Sequence, residues 1–207
     1  MEMLKMMRDF FKSYIKYRKE IKKQDEWIKK YANMKGYKVN PHWMMYTNLK
    51  IWLVETQKIF GKRYCPCFEP SGKPEIDNKM LCPCKFAEEE IKEYGTCHCR
   101  LFGRGDFTSE DFKRAEKELM REYRVKLNIN GNTLDTTGMP KDKLRGLPIP
   151  DSLHQVKRAI NILNGNEINV IVETDVEAEN LRKFANFYGY KFEKKIKDDL
   201  IFIKLLK

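Results

Sequence analysis

All six cysteines of the chain fall within CPCFEPSGKPEIDNKMLCPCKFAEEEIKEYGTCHC, residues 65–99, as three Cys-x-Cys pairs: Cys65 with Cys67, Cys82 with Cys84, and Cys97 with Cys99. One intervening residue is too few to close a disulfide without severe ring strain. Each sulfur must therefore find its partner outside its own pair. Pro66 and Pro83 hold the first two pairs stiff and extended. Four thiolates serve either tetrahedral zinc or an iron-sulfur cluster, and six thiols leave two over. Zinc ribbons space their cysteines by two residues, a pattern missing here. Four ligands plus a spare pair is the arithmetic of a cluster beside a redox disulfide, and a zinc site remains the alternative.

The elements that must position these sulfurs follow from periodicity. Residues 1–34 read as one long basic helix with Leu4, Met7, Phe11, Tyr14 and Ile15 at helical spacing. Its stripe is expected to face the protein's own core, and Gly36 and Asn40-Pro41 end it. Residues 43–60 form a second helix, with Met45, Leu49, Trp52, Leu53 and Phe60 on one face and Gly61 as its stop. This helix delivers the chain to Cys65. Pro70, Gly72 and Pro74 make residues 68–80 turn-forming, whereas Phe86 to Gly95 read as a short helix with a glycine stop. Residues 104–124 read as a helical connector capped by Thr108 and Asp111, with Phe112, Ala115, Leu119 and Tyr123 on its apolar face.

At 207 residues and 42% apolar, the chain has the composition of a soluble globular protein. Its first residues, MEMLKMMRDFFKSYIKYRKEIKK, offer neither an uncharged signal-peptide core nor a membrane span, so a cytoplasmic location is expected. In a reducing compartment, clustered cysteines are metal ligands or redox-active thiols rather than structural staples. The net charge of +11 invites a nucleic-acid reading, but the lysines are spread along the chain beside 30 acidic residues. A Lys-rich solvated surface explains them, and nucleic acid is not an expected partner.

The segment from 125 to 207 holds no cysteine. A strand at Thr133–Thr136 leads to a helix with Leu153, Val156, Ile160 and Leu163 on its core face. A strand from Ile168, a helix with Leu181, Phe184, Ala185 and Tyr188, and two strands near 190–196 and 200–205 complete it. That order, β-α-β-α-β-β, predicts a two-layer α/β sandwich. The whole is α/β: a mostly helical cysteine domain (1–103), a helical connector (104–124) and the sandwich (125–207).

CPC, CPC and CHC in that order, followed by Leu101-Phe102, resemble the catalytic (beta) subunit of ferredoxin:thioredoxin reductase. Tyr31-Ala32 and Phe60-Gly61 also resemble that family, and the likeness covers roughly residues 24–103. The resemblance implies one 4Fe-4S cluster held by Cys65, Cys82, Cys84 and Cys97, with Cys67 and Cys99 forming an active-site disulfide. It further implies that Cys67 attacks the substrate disulfide, that Cys99 faces the cluster and that His98 supplies protons. The implied partners are a ferredoxin-like electron donor and a thioredoxin- or glutaredoxin-like protein substrate. Phe68 stands where that family usually carries a basic residue. LDTTG (134–138) and RGLPIP (145–150), before Lys157-Arg158, resemble the small TusA-like sulfur carriers over about residues 132–207, with Ile149 at the position of their persulfide-carrying cysteine. A sulfur-relay partner is the corresponding expectation for this segment. Two readings from other classes stand beside the reductase: a zinc-binding nucleic-acid-binding protein, and an iron-sulfur protein that only transfers electrons or senses redox state.

Overall fold

Where apolar residues recur every three or four positions and a glycine follows, the computed structural model, which describes residues 2–163 and 166–207, forms helices. In chain order the elements are α1 (Glu2–Lys16), α2 (Arg18–Lys35), β1 (Lys38–Val39), α3 (Trp43–Phe60), α4 (Pro74–Asp77), α5 (Ala87–Tyr94), β2 (Phe102–Gly103) and α6 (Ser109–Tyr123). There follow β3 (Asn128–Asn130), β4 (Thr133–Asp135), α7 (Ser152–Leu163), β5 (Glu167–Val172), α8 (Asp175–Tyr188), β6 (Lys191–Lys197) and β7 (Leu200–Leu206). No helix among the described residues is long and apolar enough to cross a membrane. The chain divides into two compact units, one from Met6–Phe68 and Asn78–Arg124, the other from Met1–Lys5, Glu69–Asp77 and Val125–Lys207. Residues 104–124, expected as a connector, thus lie in the first unit, and residues 69–77, expected in the cysteine domain, lie in the second.

In the first unit, α2 buries Ile21, Gln24, Ile28 and Ala32 and packs against α3, which buries Leu49, Leu53 and Val54. The buried Lys50 is paired with Asp25 at 2.8 Å, which offsets the cost of removing its charge from water. α5 ends where expected, and glycine is required there: Gly95 has φ +83°, and a Cβ would lie 2.4 Å from the Phe107 ring. α6 starts with the expected capping box, the Thr108 hydroxyl accepting from Asp111 N while the Asp111 carboxylate accepts from Thr108 N. Its buried face is Phe112, Ala115 and Leu119.

The N-terminus departs from expectation. The single helix is two, broken at Tyr17, which leaves helical geometry at φ −106°, ψ 19°. Leu4, Met7, Phe11 and Ile15 are exposed rather than set into the core, Leu4 and Ile15 at 72%. The phase of burial explains this. Tyr17, Ile21 and Ile28 fix which side of the chain faces inward. Stepping back by three or four residues from Tyr17 leads to Tyr14 and Phe10, whose rings contact Trp43 at centroid distances of 6.0 and 5.6 Å.

In the second unit a five-stranded sheet runs in the order β3-β4-β5-β7-β6. β4 and β5 are parallel, with Leu134 opposite Val170; the other neighbours are antiparallel. Alternation sets one face inward: Ile168, Val170 and Val172 of β5 and Ile201, Ile203 and Leu205 of β7 are buried. α7 covers that face with Leu153, Val156 and Ala159, and α8 with Leu181, Phe184 and Ala185. The two-layer β-α-β-α-β-β arrangement is as expected, with the short strand β3 added by a hairpin through Gly131 and Asn132.

Glu69 is buried at the start of α7, where its Oε2 accepts from Leu153 N at 3.3 Å and Ser152 Oγ at 3.4 Å. Asn180 Nδ2 donates to Pro70 O at 2.8 Å, and the Asp77 carboxylate gathers Ser71 N, Ser71 Oγ and Gly72 N. Burial and the neighbouring Asp151 push the Glu69 carboxyl well above the usual range. Burial would raise Asp151 as well, but His154 and Arg145 beside it hold it below.

Two predictions follow from this packing. Ile28→Ala, at a fully buried site, costs about 2–5 kcal/mol, whereas Ile15→Ser stays within about 0.5 kcal/mol; chemical denaturation at pH 7 compares them, and equal losses would place the α1 stripe in the core after all. The stability that a raised carboxyl contributes is complete below about pH 4.3 and is lost as pH rises through its folded-state value. Glu69→Gln therefore gains on the wild type by about 1 kcal/mol or more between pH 5 and pH 8, read from paired denaturation curves, and a pH-independent difference would contradict the raised carboxyl.

Candidate functional site

The loops carrying the cysteines are tied to one another by backbone hydrogen bonds. After Gly61 ends α3, Tyr64 bridges Leu81, Cys65 N donates to Met80 O at 2.8 Å, and Cys82 N donates to Arg63 O at 2.9 Å. The first and second pairs therefore lie side by side. Ala87 N donates to Cys84 O at 3.0 Å, which starts α5 directly beyond the second pair. At the third pair, Cys97 N donates to Phe102 O, Arg100 N to Cys97 O, and Phe102 N to the Cys97 sulfur at 3.3 Å. Backbone groups that burial would otherwise leave unpaired are thus satisfied.

All six cysteines are free thiols in one hydrophobic core with Ile28, Leu49, Leu53, Ile91, Leu101 and Phe102, none more than 7% exposed. The four expected ligands, Cys65, Cys82, Cys84 and Cys97, line that core together with Cys67 and Cys99. The tightest group among the described residues is Cys65, Cys67 and Cys99, whose sulfurs lie within 4.8 Å of one another, and the Cys97 and Cys99 sulfurs are 3.7 Å apart. Burial pushes the Cys67 thiol up, and it does the same to Cys82, where the Arg63 guanidinium acts in the opposite direction. Arg63 itself sits 3.5 Å over the Trp27 ring. Cys97 is drawn down by the Cys99 thiol and by Phe102 N despite its burial, and Cys84 is drawn down by the Cys65 thiol.

Six soft donors in one dry pocket select iron or zinc over hard cations. They also exceed what one tetrahedral ion takes, so the residues present fit an iron-sulfur cluster with a thiol pair beside it.

His98 is half-buried between Cys97 and Cys99, its ring stacked on Phe68 at 6.1 Å and 23°. Its N–H donates to Glu90 Oε2 at 2.7 Å and its carbonyl accepts from Arg100 Nη1 at 2.6 Å. Tyr123 donates from its hydroxyl to Cys67 O at 3.3 Å. Sequence reasoning passed over Glu90, Arg100 and this use of Phe68. Glu90 could have been found, because it shares the buried side of α5 with Ala87 and Ile91 at three- and four-residue spacing. Nothing in the local sequence distinguishes Arg100 from a surface arginine.

Comparison with curated proteins finds no match. Residues 4–126 match the family described as ferredoxin thioredoxin reductase catalytic beta chain, a wider span than the cysteine motifs alone, taking in α1 to α6. The three converging cysteine pairs and this match agree, and the chain belongs to the ferredoxin thioredoxin reductase catalytic beta chain family, oxidoreductases that bind an iron-sulfur cluster.

Proposed function

We propose that the chain is a disulfide reductase that takes electrons from a ferredoxin-like donor and reduces the disulfide of a thioredoxin- or glutaredoxin-like protein. The observation that carries this reading is the convergence of all six thiols in one buried core, with the Cys67 and Cys99 sulfurs within 4.8 Å of each other. Cys65, Cys82, Cys84 and Cys97 would hold one 4Fe-4S cluster. Bound there, the cluster supplies single electrons at low potential, which a two-electron disulfide reduction must receive one at a time.

The remaining steps belong to the chain's own side chains. The Cys67 thiolate attacks one sulfur of the substrate disulfide, forming a mixed disulfide and releasing the first substrate thiolate. Cys99 then attacks the Cys67 sulfur, which releases the second substrate thiolate and leaves Cys67 and Cys99 joined. Two electrons and two protons return that disulfide to thiols. Because burial disfavours a bare Cys67 thiolate, a proton acceptor is needed at the rim, and His98 takes that role. The driving force is sufficient: a donor near about −400 mV and a thioredoxin near about −270 mV differ by about 6 kcal/mol for two electrons.

For residues 125–207 the reading is a TusA-like docking module that presents the disulfide substrate. It is not a persulfide carrier, because Ile149 has no sulfur and the start of α7 is taken by Glu69. A sulfur-relay protein is among the substrates such a module would receive.

The test is metal analysis of the full chain purified without oxygen. About four irons and matching acid-labile sulfide per chain are expected, retained in Cys67→Ser and lost in Cys65→Ser, with reduction of a thioredoxin disulfide abolished in both. Zinc with no visible absorption would overturn the reading and favour a zinc module; iron without disulfide reduction would leave an electron-transfer or sensing protein.

A further inference from the structure

Both backbone polar groups of His98 are held by ionisable side chains: the N–H by Glu90 of α5, the C=O by Arg100. Neutral groups or water would satisfy a peptide equally well. Bonds of 2.7 and 2.6 Å, one to each group, fix its direction. Arg100 is also the costlier choice at its position. It is buried and adopts φ +63°, a left-handed conformation that glycine enters without strain.

The arginine there has its side chain fully engaged. Its Nε donates to Ala115 O on α6 at 3.0 Å, which ties the guanidinium to a helix before it reaches the His98 carbonyl. Its own carbonyl accepts from the buried Asn40 Nδ2 at 2.9 Å. The third restraint is Phe68, the residue after Cys67, stacked on the imidazole. His98 is therefore held through its N–H from α5, through its C=O from α6, and across its ring face by the loop of the first cysteine pair.

We infer that Glu90, Arg100 and Phe68 are positioning residues of the disulfide exchange, fixing the backbone and ring of His98 so that Cys97 and Cys99 keep their separate directions on either side of it. The inference rests on the reductase reading above. None of the three touches the substrate; each acts through His98. Peptide units are planar, so tethering the N–H and C=O of one residue sets the course of the chain into both flanking cysteines. Releasing either tether lets the ring and the Cys99 sulfur drift, and displacements of about 1 Å cost up to about a hundredfold in rate.

The experiment uses the full chain purified without oxygen and four variants, Glu90→Leu, Glu90→Gln, Arg100→Gly and Phe68→Leu. Three quantities are read: iron and sulfide content, hydrogen exchange of the peptide containing His98, and kcat and KM for a thioredoxin disulfide. Iron content is expected to stay at the wild-type level in all four. Glu90→Leu and Arg100→Gly speed exchange at His98 about tenfold or more and lower kcat about tenfold to a hundredfold, with KM little changed. Phe68→Leu lowers kcat without speeding backbone exchange. Glu90→Gln, whose amide oxygen accepts from the same N–H, stays near wild type in both. Arg100→Gly keeps or raises thermal stability, because it relieves the left-handed backbone, which separates lost positioning from lost folding. Unchanged exchange and kcat in Glu90→Leu and Arg100→Gly overturn the inference, as does iron lost in step with kcat, which marks a structural role alone. A wild-type chain that reduces no thioredoxin disulfide removes the reductase reading and this inference with it, whereas an active wild type with equally active variants removes the positioning roles only.

Discussion

Six thiols buried in a single apolar core constrain the rest of the first unit. Thiols there are costly to ionise, and burial raises Cys67 and Cys82 for that reason. A bound metal reverses the preference, because it takes thiolates and releases their protons. The core that Ile28, Leu53, Ile91, Leu101 and Phe102 build is therefore also where the chain gathers its metal-ligating sulfurs. Loops ordinarily run over a surface, since a buried loop leaves backbone groups without water. Here the cysteines themselves are buried, and amides beside them find backbone acceptors: Cys65 to Met80, Cys82 to Arg63, Cys97 to Phe102, Arg100 to Cys97.

The same burial defines how a substrate reaches the sulfurs. Cys67 and Cys99 are 7% and 3% exposed, while Phe68 and His98, next to them in the chain, are half-buried and stacked on each other. The stacked pair is the rim of the site.

Elements bounded by chemical punctuation were legible in the sequence. α3 and α5 end at Gly61 and Gly95 because the left-handed turn there favours glycine, and α6 begins at the Thr108 and Asp111 box. The sheet of the second unit was legible for another reason: Ile168, Val170 and Val172 alternate as a half-buried strand must. The cysteine pairs announced their chemistry by type and spacing. Tertiary choices were not legible. Periodicity reports which residues are apolar, not which side a neighbour will cover, so the α1 stripe took in Tyr14, which does contact Trp43, but carried Phe11 in place of Phe10. Glu90 lies in the run Glu88-Glu89-Glu90, where only its place beside Ile91 marks it as different. The assignment of residues 69–77 to the second unit was invisible for a similar reason. Pro70, Gly72 and Pro74 read as a turn between cysteine pairs, and nothing local says that Asp77 closes that turn on itself while Glu69 and Pro70 tie it to distant helices.

That assignment decides what the second unit can do. The start of a helix attracts one anion, through its free amides and the positive end of its dipole. At α7 the Leu153 amide already faces a carboxyl, and Asp151 stands beside it. Asp151 keeps the negative charge, stabilised by His154 and Arg145, and Glu69 is pushed toward its neutral form. The Leu153 amide at the helix start is thus occupied from within the chain. The segment that occupies it begins two residues beyond Cys67. The second unit is consequently built around part of the loop that joins Cys67 to Cys82.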